Sequence, residues 1–307
     1  MIETRETKNK KLDDNLRKEE KNEVRKKLGI RIFKIICIGV LFVLGFMLYM
    51  HYIGTKGIVV KEYKIASNKI PESMHGIKIV QVSDINYLST TNEDEIKSLV
   101  KIINKIKPEI VLFNGDLIMD NKELNDDDIK FLINQLNKIK TTIGLYAIKG
   151  DKDYNNKYYD KIISETNIKI INNSYELIYY KGNIPILLNG CGSILNNDCD
   201  LGQTFSFNEI DNLYTIALIH EPDTADTIND RYKPDLILAG HNLNGQIRLP
   251  FIGGLIKVDE GKKFMNSKYN LSNSTLFVSG GIGTDENGYR LFNHPSINFF
   301  RLVKETN

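Results

Sequence analysis

Five short polar clusters, each placed directly after an apolar run of strand length, constrain the fold of this chain more than any other feature. The carboxyl ends of neighbouring strands meet at one edge of a sheet, where α/β proteins bind their ligands. The clusters combine carboxylates with imidazoles, and this mixture of oxygen and nitrogen ligands suits a divalent metal ion. They are Ser83–Asn86, Asn114–Asp116, Gly150–Asp153, His220 and Gly240–Gln246.

The segments between these clusters predict a layered α/β fold. Strand-like runs alternate with segments of helical apolar spacing over the first half of this region. Predicted strands cover 58–65, 77–82, 110–113 and 145–148, and predicted helices cover 94–106, 127–139 and 158–166. The second half is richer in short strands, predicted at 168–171, 175–180, 184–189, 214–219, 236–239, 247–249, 275–278 and 297–302, with a helix at 223–229.

Residues 35–55 form an uncharged run of 21 residues, which is long enough for a helix to span a bilayer. A buried core helix is the alternative, but such a helix would show a polar face. Twelve Lys/Arg against seven Asp/Glu crowd residues 1–34, so this tail is expected to stay in the cytoplasm. The predicted organisation is a basic tail at 1–34, a single transmembrane helix at 35–55 in the cell membrane, and an extracellular domain at 56–307.

Composition excludes few classes of function, and the sequence leaves open whether Cys191 and Cys199 form a disulfide. The net charge is +2, and no basic stripe with interleaved aromatic residues indicates nucleic-acid binding. Cys191 and Cys199 lie eight residues apart and could form a disulfide outside the cell, although spacing alone does not show a bond. Nothing in the residues predicts an oligomeric state.

The order of the clusters resembles the calcineurin-like metallophosphoesterases, whose pattern reads D-x-H, G-D, G-N-H-D, H and G-H-x-H. The resemblance runs from about Tyr63 to Leu302 and is closest to a membrane-anchored bacterial branch. In that branch the last motif continues as G-H-T-H-G-G-Q-(I/V)-R-L-P, against Gly240–Pro250 here, and Phe277–Thr284 and Arg290–Asn293 are also similar. The resemblance implies two packed mixed β-sheets flanked by helices (a four-layer αββα fold), with the metal site at their common edge.

The departures from the family pattern fall within the metal site. Asn86 replaces the His of D-x-H, and Leu243 replaces the second His of G-H-x-H. Asp151 and Lys152 replace the Asn and His of G-N-H-D. The chain is therefore expected to be an atypical member with a degenerate site.

The resemblance implies two sets of metal ligands, of which one is complete. The complete set is Asp116, Asp151, His220 and His241. In the other set Asp84 and the shared Asp116 remain, Asn86 is a weak ligand, and Leu243 cannot coordinate. One divalent ion (Mn, Fe or Zn) is therefore expected rather than two.

Lys152 and Asp153 are the predicted catalytic residues. The family His at position 152 contacts the phosphate, and the Asp at position 153 orients it. Lys152 could supply a positive charge beside Asp84 and Asp116, or hold a phosphate as a point charge. The alternative is that Lys152 is a solvated loop residue.

The resemblance implies a membrane-anchored phosphoesterase that hydrolyses a phosphomonoester, phosphodiester or diphosphate with a metal-activated water, at reduced activity. The substrate would be a phosphate compound near the envelope, either lipid-linked or derived from the cell wall. The alternative is a catalytically inactive binding module that keeps the fold, because a two-metal mechanism loses charge stabilisation with one metal. In a third interpretation the remaining metal is structural.

Overall fold

The computed structural model describes residues 5–120, 122–207 and 209–305. The chain divides into two compact units, Met1–Tyr49 and Met50–Asn307. The domain boundaries expected after residues 34 and 55 stay predictions. Residues 1–4, 121, 208 and 306–307 of the predicted domains lie outside the described residues.

The first unit is formed by a long helix, α1 (Arg5–Tyr52), whose last three residues belong to the second unit. The part of α1 most suited to a membrane is 0% buried, and Phe42 is 74% exposed. A helix in the core of a soluble protein would bury its apolar face, so the structure does not support the core-helix alternative. The helix is long and apolar enough to cross a membrane.

The second unit contains two six-stranded mixed sheets. In spatial order, the first sheet contains β1 (Val59–Ser67), β14 (Ser296–Lys304), β2 (Lys78–Val82), β3 (Ile110–Phe113), β4 (Gly144–Ala147) and β5 (Ile168–Ile170). The second contains β12 (Lys268–Asn270), β13 (Thr275–Val278), β9 (Leu236–Ala239), β8 (Thr215–Leu218), β7 (Ile186–Gly190) and β6 (Ser174–Ile178). A hairpin of β10 (Arg248–Leu249) and β11 (Gly253–Gly254) lies outside both sheets.

Strand direction brings the polar clusters to one edge of each sheet. The strands β2, β3, β4 and β5 are parallel, and so are β7, β8, β9 and β13. Every polar cluster therefore follows the carboxyl end of a parallel strand, as the sequence predicts.

The helices of the second unit are α2 (Glu93–Ile106), α3 (Asp126–Leu136), α4 (Tyr159–Ser164), α5 (Leu201–Thr204) and α6 (Ala225–Arg231), with 3₁₀ turns at Glu72–Met74 and Pro222–Thr224. Asn92 and Asn125 begin α2 and α3 with capping boxes, which satisfy the free N–H groups of the first turn. The buried face of α2 shows the predicted helical spacing, with Ile96, Leu99 and Ile103 almost fully buried.

Three apolar clusters define the layers of the second unit. One lies between the first sheet and α2–α4, the second between the two sheets, and the third between the second sheet and α6. This arrangement confirms the predicted fold of two packed mixed sheets flanked by helices. The structure also resolves the question of the cysteines, because Cys191 and Cys199 form a disulfide with their Cα atoms 5.0 Å apart.

Candidate metal centre

The predicted site residues meet where the carboxyl ends of the two sheets face each other. They follow β2, β3 and β4 in the first sheet and β8 and β9 in the second: Asp84, Asn86, Asp116, Asp151, Lys152, Asp153, His220 and His241. Asn114 joins the two sheets at this edge. Its side-chain NH₂ group donates to the main-chain oxygens of Ile219 (2.9 Å) and Leu238 (2.8 Å).

The backbone reverses sharply at these strand ends. Asp84, Asn86, Asp116 and His241 have φ angles of 47°, 45°, 56° and 67°, in the left-handed region that disfavours residues with a Cβ atom. Backbone strain of this kind concentrates at functional sites, where the surrounding structure holds it in place. Here it keeps the side chains at the sheet edge immediately after each strand.

Two glycines allow the loops to approach one another. A Cβ atom on Gly150 would collide with Asp116 and with the imidazole of His220, and one on Gly115 would collide with the backbone of Gly150. Gly115 also has a φ of 86°. The glycines of the G-D and G-N-H-D motifs are therefore required by close contact at the site.

The complete ligand set predicted from the sequence is brought together. Oδ1 of Asp151 lies 2.9 Å from Nε2 of His220 and 3.2 Å from Nδ1 of His241. The same His220 nitrogen lies 3.5 Å from Oδ1 of Asp116. His220 and Asp116 are fully buried, whereas the Asp151 side chain is 25% exposed, so the set opens to solvent on the Asp151 side.

Main-chain carbonyl groups orient both imidazoles. The carbonyl oxygen of Asn114 lies 2.5 Å from Nδ1 of His220, and that of Asp259 lies 2.8 Å from Nε2 of His241. A carbonyl oxygen can only accept a hydrogen bond, so each of these nitrogens carries the hydrogen. The second nitrogen of each ring then faces the carboxylates, which is the usual arrangement of histidines that bind a metal. The donor set therefore fits a divalent cation.

The second predicted ligand set contains a lysine. Nζ of Lys152 lies 2.6 Å from Oδ2 of Asp116 and 3.3 Å from Oδ1 of Asn86. The amide nitrogen of Asn86 donates to the carbonyl oxygen of Thr284 at 3.2 Å. Asp84 accepts a hydrogen bond from the backbone N–H of His241, at 3.1 Å and 3.2 Å from its two oxygens.

Leu243 is 5% exposed and contributes no polar atom at the position of the family histidine. Its side chain lies against Gly281, which also contacts Asp84. The backbone of Leu243 has a φ of 55°, and its carbonyl oxygen accepts a hydrogen bond from Asn293 at 2.6 Å. Leu243 therefore closes this side of the site with apolar packing.

Asp153 accepts hydrogen bonds from three backbone N–H groups. Its carboxylate lies 2.8 Å from the nitrogen of Asp116, 2.9 Å from that of Leu117 and 2.9 Å from that of Gly150. Burial, with the neighbouring Asp116 carboxylate, raises the pKa of Asp153 to about 7 although these N–H groups favour the charged form. Asp153 thus connects the loops after β3 and β4 and faces the backbone rather than the Lys152 ammonium. Its predicted catalytic role, like that of Lys152, stays a prediction.

The carboxylates attract positive charge. Burial would raise the pKa of Asp116, but the Lys152 ammonium and His220 lower it to about 2. Burial disfavours the charged imidazoles, yet the Asp116 and Asp151 carboxylates raise the pKa of His220 and His241 above the ordinary value. A cation at this position competes with protons on the imidazoles, so we expect its affinity to fall as the pH falls.

Sequence reasoning missed three residues that support the site. Asn114 and Asp259 accept from the imidazoles through their backbone oxygens, and Asn114 also donates its side-chain NH₂ group across the two sheets; neither kind of contact leaves a pattern in the sequence. Arg290 is fully buried and donates to the carbonyl oxygens of Gly280 and Gly283, which fixes the loop beside Asp84. A fully buried arginine is rare. The sequence signal that could have indicated a role for Arg290 was its position in Arg290–Asn293, which is similar to the membrane-anchored branch.

Comparison with known proteins places these motifs in one family. The family model for calcineurin-like phosphoesterases matches residues 77–245. The metallophosphoesterase YkuE of Bacillus subtilis is 29% identical over 279 residues, which cover 90% of this chain and 96% of YkuE. The phosphodiesterase YaeI of Escherichia coli is 23% identical, over 83% of this chain and 92% of its own. The UDP-2,3-diacylglucosamine pyrophosphatase LpxG of Chlamydia trachomatis is 24% identical, over 58% of this chain and 67% of its own.

Proposed function

The chain belongs to the calcineurin-like phosphoesterase family, and from this membership we propose that it is a membrane-anchored, metal-dependent hydrolase of phosphate esters or diphosphates. The family makes it a hydrolase that acts on phosphoester bonds. The metal ligands, the anchoring and the substrate are the proposed part. The observation that carries the metal dependence is the pair of imidazoles, each oriented by a main-chain oxygen and each facing Asp151 with its second nitrogen.

Asp116, Asp151, His220 and His241 would hold a divalent cation, which would supply the charge that polarises a phosphoryl group and acidifies water. The side chain of Lys152 is 19% exposed, so its ammonium can donate a hydrogen bond toward a phosphoryl oxygen on the open side. Asp153 contributes indirectly, because it holds the backbone at Asp116. We expect reduced activity, since Leu243 and Asn86 weaken the second ligand set.

The substrate class we propose is a phosphate compound at the membrane surface, with a lipid-linked diphosphate as the first candidate. The name of the relative LpxG gives a diphosphate that carries acyl chains. The exposed apolar surface of α1 supports anchoring in the membrane. The basic residues before it favour a cytoplasmic tail and an extracellular domain, and the Cys191–Cys199 disulfide is typical of proteins outside the cytoplasm.

A catalytically inactive binding module is the second candidate. Leu243 favours it, because this buried apolar side chain stands where the family has a ligand. Such a module would bind a phosphate compound without turning it over. The two functions differ in one observable, which is release of product in the presence of metal.

The test uses the full chain purified in detergent, stripped with a chelator and then supplied with Mn²⁺. We expect bound metal by elemental mass spectrometry, and hydrolysis of at least one chromogenic phosphate monoester, diester or diphosphate. The His241→Ala variant should lose both, whereas the exposed His75→Ala variant should lose neither. Metal-independent hydrolysis, or hydrolysis that survives in His241→Ala, would contradict the proposal; bound metal without turnover would support the binding module.

A further inference from the structure

The ammonium group of Lys152 lies between residues that the family pattern assigns to the second metal. It forms an ion pair with Oδ2 of Asp116 at 2.6 Å, while Oδ1 of the same carboxylate faces His220 of the complete ligand set. Its second contact is Oδ1 of Asn86 at 3.3 Å. Asp116 therefore directs Oδ1 to the complete ligand set and Oδ2 to the position of the second metal, where Oδ2 contacts Lys152.

The remaining residues of the second position accommodate the lysine rather than an ion. Asn86 presents its oxygen to Lys152 and donates its NH₂ group to Thr284, so it acts as a hydrogen-bonded partner of the ammonium. Leu243 supplies buried apolar surface in place of a ligand. The backbone N–H of Lys152 also donates to Oδ1 of Asp116 at 3.1 Å, which fixes the loop that carries the side chain.

From these contacts we infer that the Lys152 ammonium permanently replaces the second metal ion, so that the protein combines one exchangeable divalent cation with one cation built into the chain. This inference rests on the proposed function for its first cation. Charge supports it, because the carboxylates of Asp116, Asp151 and Asp84 all favour the charged form of the Lys152 ammonium against the cost of its burial. Buried carboxylates without such compensation are strongly unfavourable.

The Lys152 ammonium keeps one N–H group for a phosphate. A lysine ammonium has three N–H donors, and Asp116 and Asn86 accept two of them. The third is available to a phosphoryl oxygen on the partly exposed side. Asp116, Asp151, His220 and His241 would hold the divalent cation, which would supply a second positive charge for such a phosphate.

The experiment counts Mn²⁺ ions per chain in the full protein in detergent, with the cation in excess. The wild type should bind one ion. The Asn86→His/Leu243→His variant restores family ligands but keeps Lys152, so it should still bind one. Addition of Lys152→Ala to that variant should allow a second ion to bind. Two ions in the wild type or in the double variant, or one ion in the triple variant, would overturn the inference.

A second measurement needs neither metal nor folding of the multiple variants. In excess chelator, Lys152→Ala should lower the melting temperature by roughly 5–10 °C, because it removes the ammonium that is paired with the fully buried Asp116 carboxylate. Lys157→Ala is the matched control. This lysine lies five residues after Lys152 and forms an exposed ion pair with Glu123. Equal melting temperatures for the two variants would overturn the inference. If no ion binds and no ester is hydrolysed, the proposed function fails, and the comparison in chelator still decides the role of Lys152.

Discussion

Backbone groups of other loops orient three side chains of the candidate metal centre. His220 and His241 are fixed by carbonyl oxygens from two other segments, and Asp84 by the N–H group of His241. Groups held in this way lose little freedom when they bind a ligand, which favours tight and specific binding. The residue types alone would not provide this, because the same carboxylates on mobile loops would be solvated.

The substitution Gly150→Ala tests how closely these loops must approach. The added methyl group would press on Asp116 and on the ring of His220, so the ligand atoms must move apart. We expect the dissociation constant for Mn²⁺ to rise by about 10–100-fold, as for other changes that displace ligands, with a stability loss of about 1–3 kcal/mol.

Calorimetric titration with Mn²⁺ measures the affinity. Gly202→Ala serves as the control, because its methyl group would meet only an oxygen of Asp200, at 3.3 Å. An unchanged Mn²⁺ affinity in Gly150→Ala would contradict the placement of the cation between Asp116 and His220.

The two sheets depend on few polar contacts to keep their carboxyl ends aligned. Most of the interface between the sheets is apolar. Apolar packing is not directional, so it fixes the spacing between the sheets better than their alignment along the strands. Asn114, at the end of β3, provides a directional contact, since its buried amide donates to the ends of β8 and β9.

Replacement of Asn114 by Ala should destabilise this alignment. The carbonyl oxygen of Ile219 would lose its donor in a buried environment, which costs about 1–3 kcal/mol, and Mn²⁺ affinity should fall because His220 follows Ile219 directly. Denaturant unfolding measures the stability change. Asn104→Ala removes two exposed contacts, with the Lys138 carbonyl and with the Lys140 N–H, and should have a smaller effect; an equal effect would contradict the special role of Asn114.

The elements that the sequence predicted well are those with a strong physical signal. The strands at 110–113, 236–239 and 275–278 have their predicted bounds, because parallel strands buried on both faces are continuously apolar. The helix predicted at 127–139 ends at Leu136. The short elements α5, β11 and β12 have between two and four residues, which is too few for a periodic pattern.

The sequence predicted which side chains would come together at the sheet edge, but it did not predict the contacts between them. Carboxylates and imidazoles after parallel strands indicate a shared edge, and the structure brings them together there. The contact of Lys152 with Asp116 depends on how a loop folds back, and Asn114 meets carbonyl groups more than 100 residues away. Neither contact follows from a local pattern.

The whole chain combines a long helix, charged in its first part and apolar in its second, with a folded unit at residues 50–307. The whole positive excess lies before the apolar run, since the rest of the chain has more Asp and Glu than Lys and Arg, and the apolar side chains of α1 are exposed. Contiguous apolar surface of this size on a soluble protein would cause aggregation, so we expect the chain to reside in a membrane.

Truncation tests this expectation. The full chain should sediment with membranes and resist extraction by alkaline carbonate, whereas residues 50–307 should be soluble without detergent and keep the same Mn²⁺ affinity. The affinity is the internal control, because the ligands all lie in the second unit. A full chain that is recovered from the soluble fraction would contradict the anchoring.

Anomalous diffraction at the manganese absorption edge, from crystals soaked with Mn²⁺, tests the central claim most directly. The predicted result is one peak among Asp116, Asp151, His220 and His241, with the Lys152 ammonium still bound to Asp116. A second peak between Asp84 and Asp116, with Lys152 displaced, would contradict the one-ion site. The absence of any peak would contradict metal binding itself.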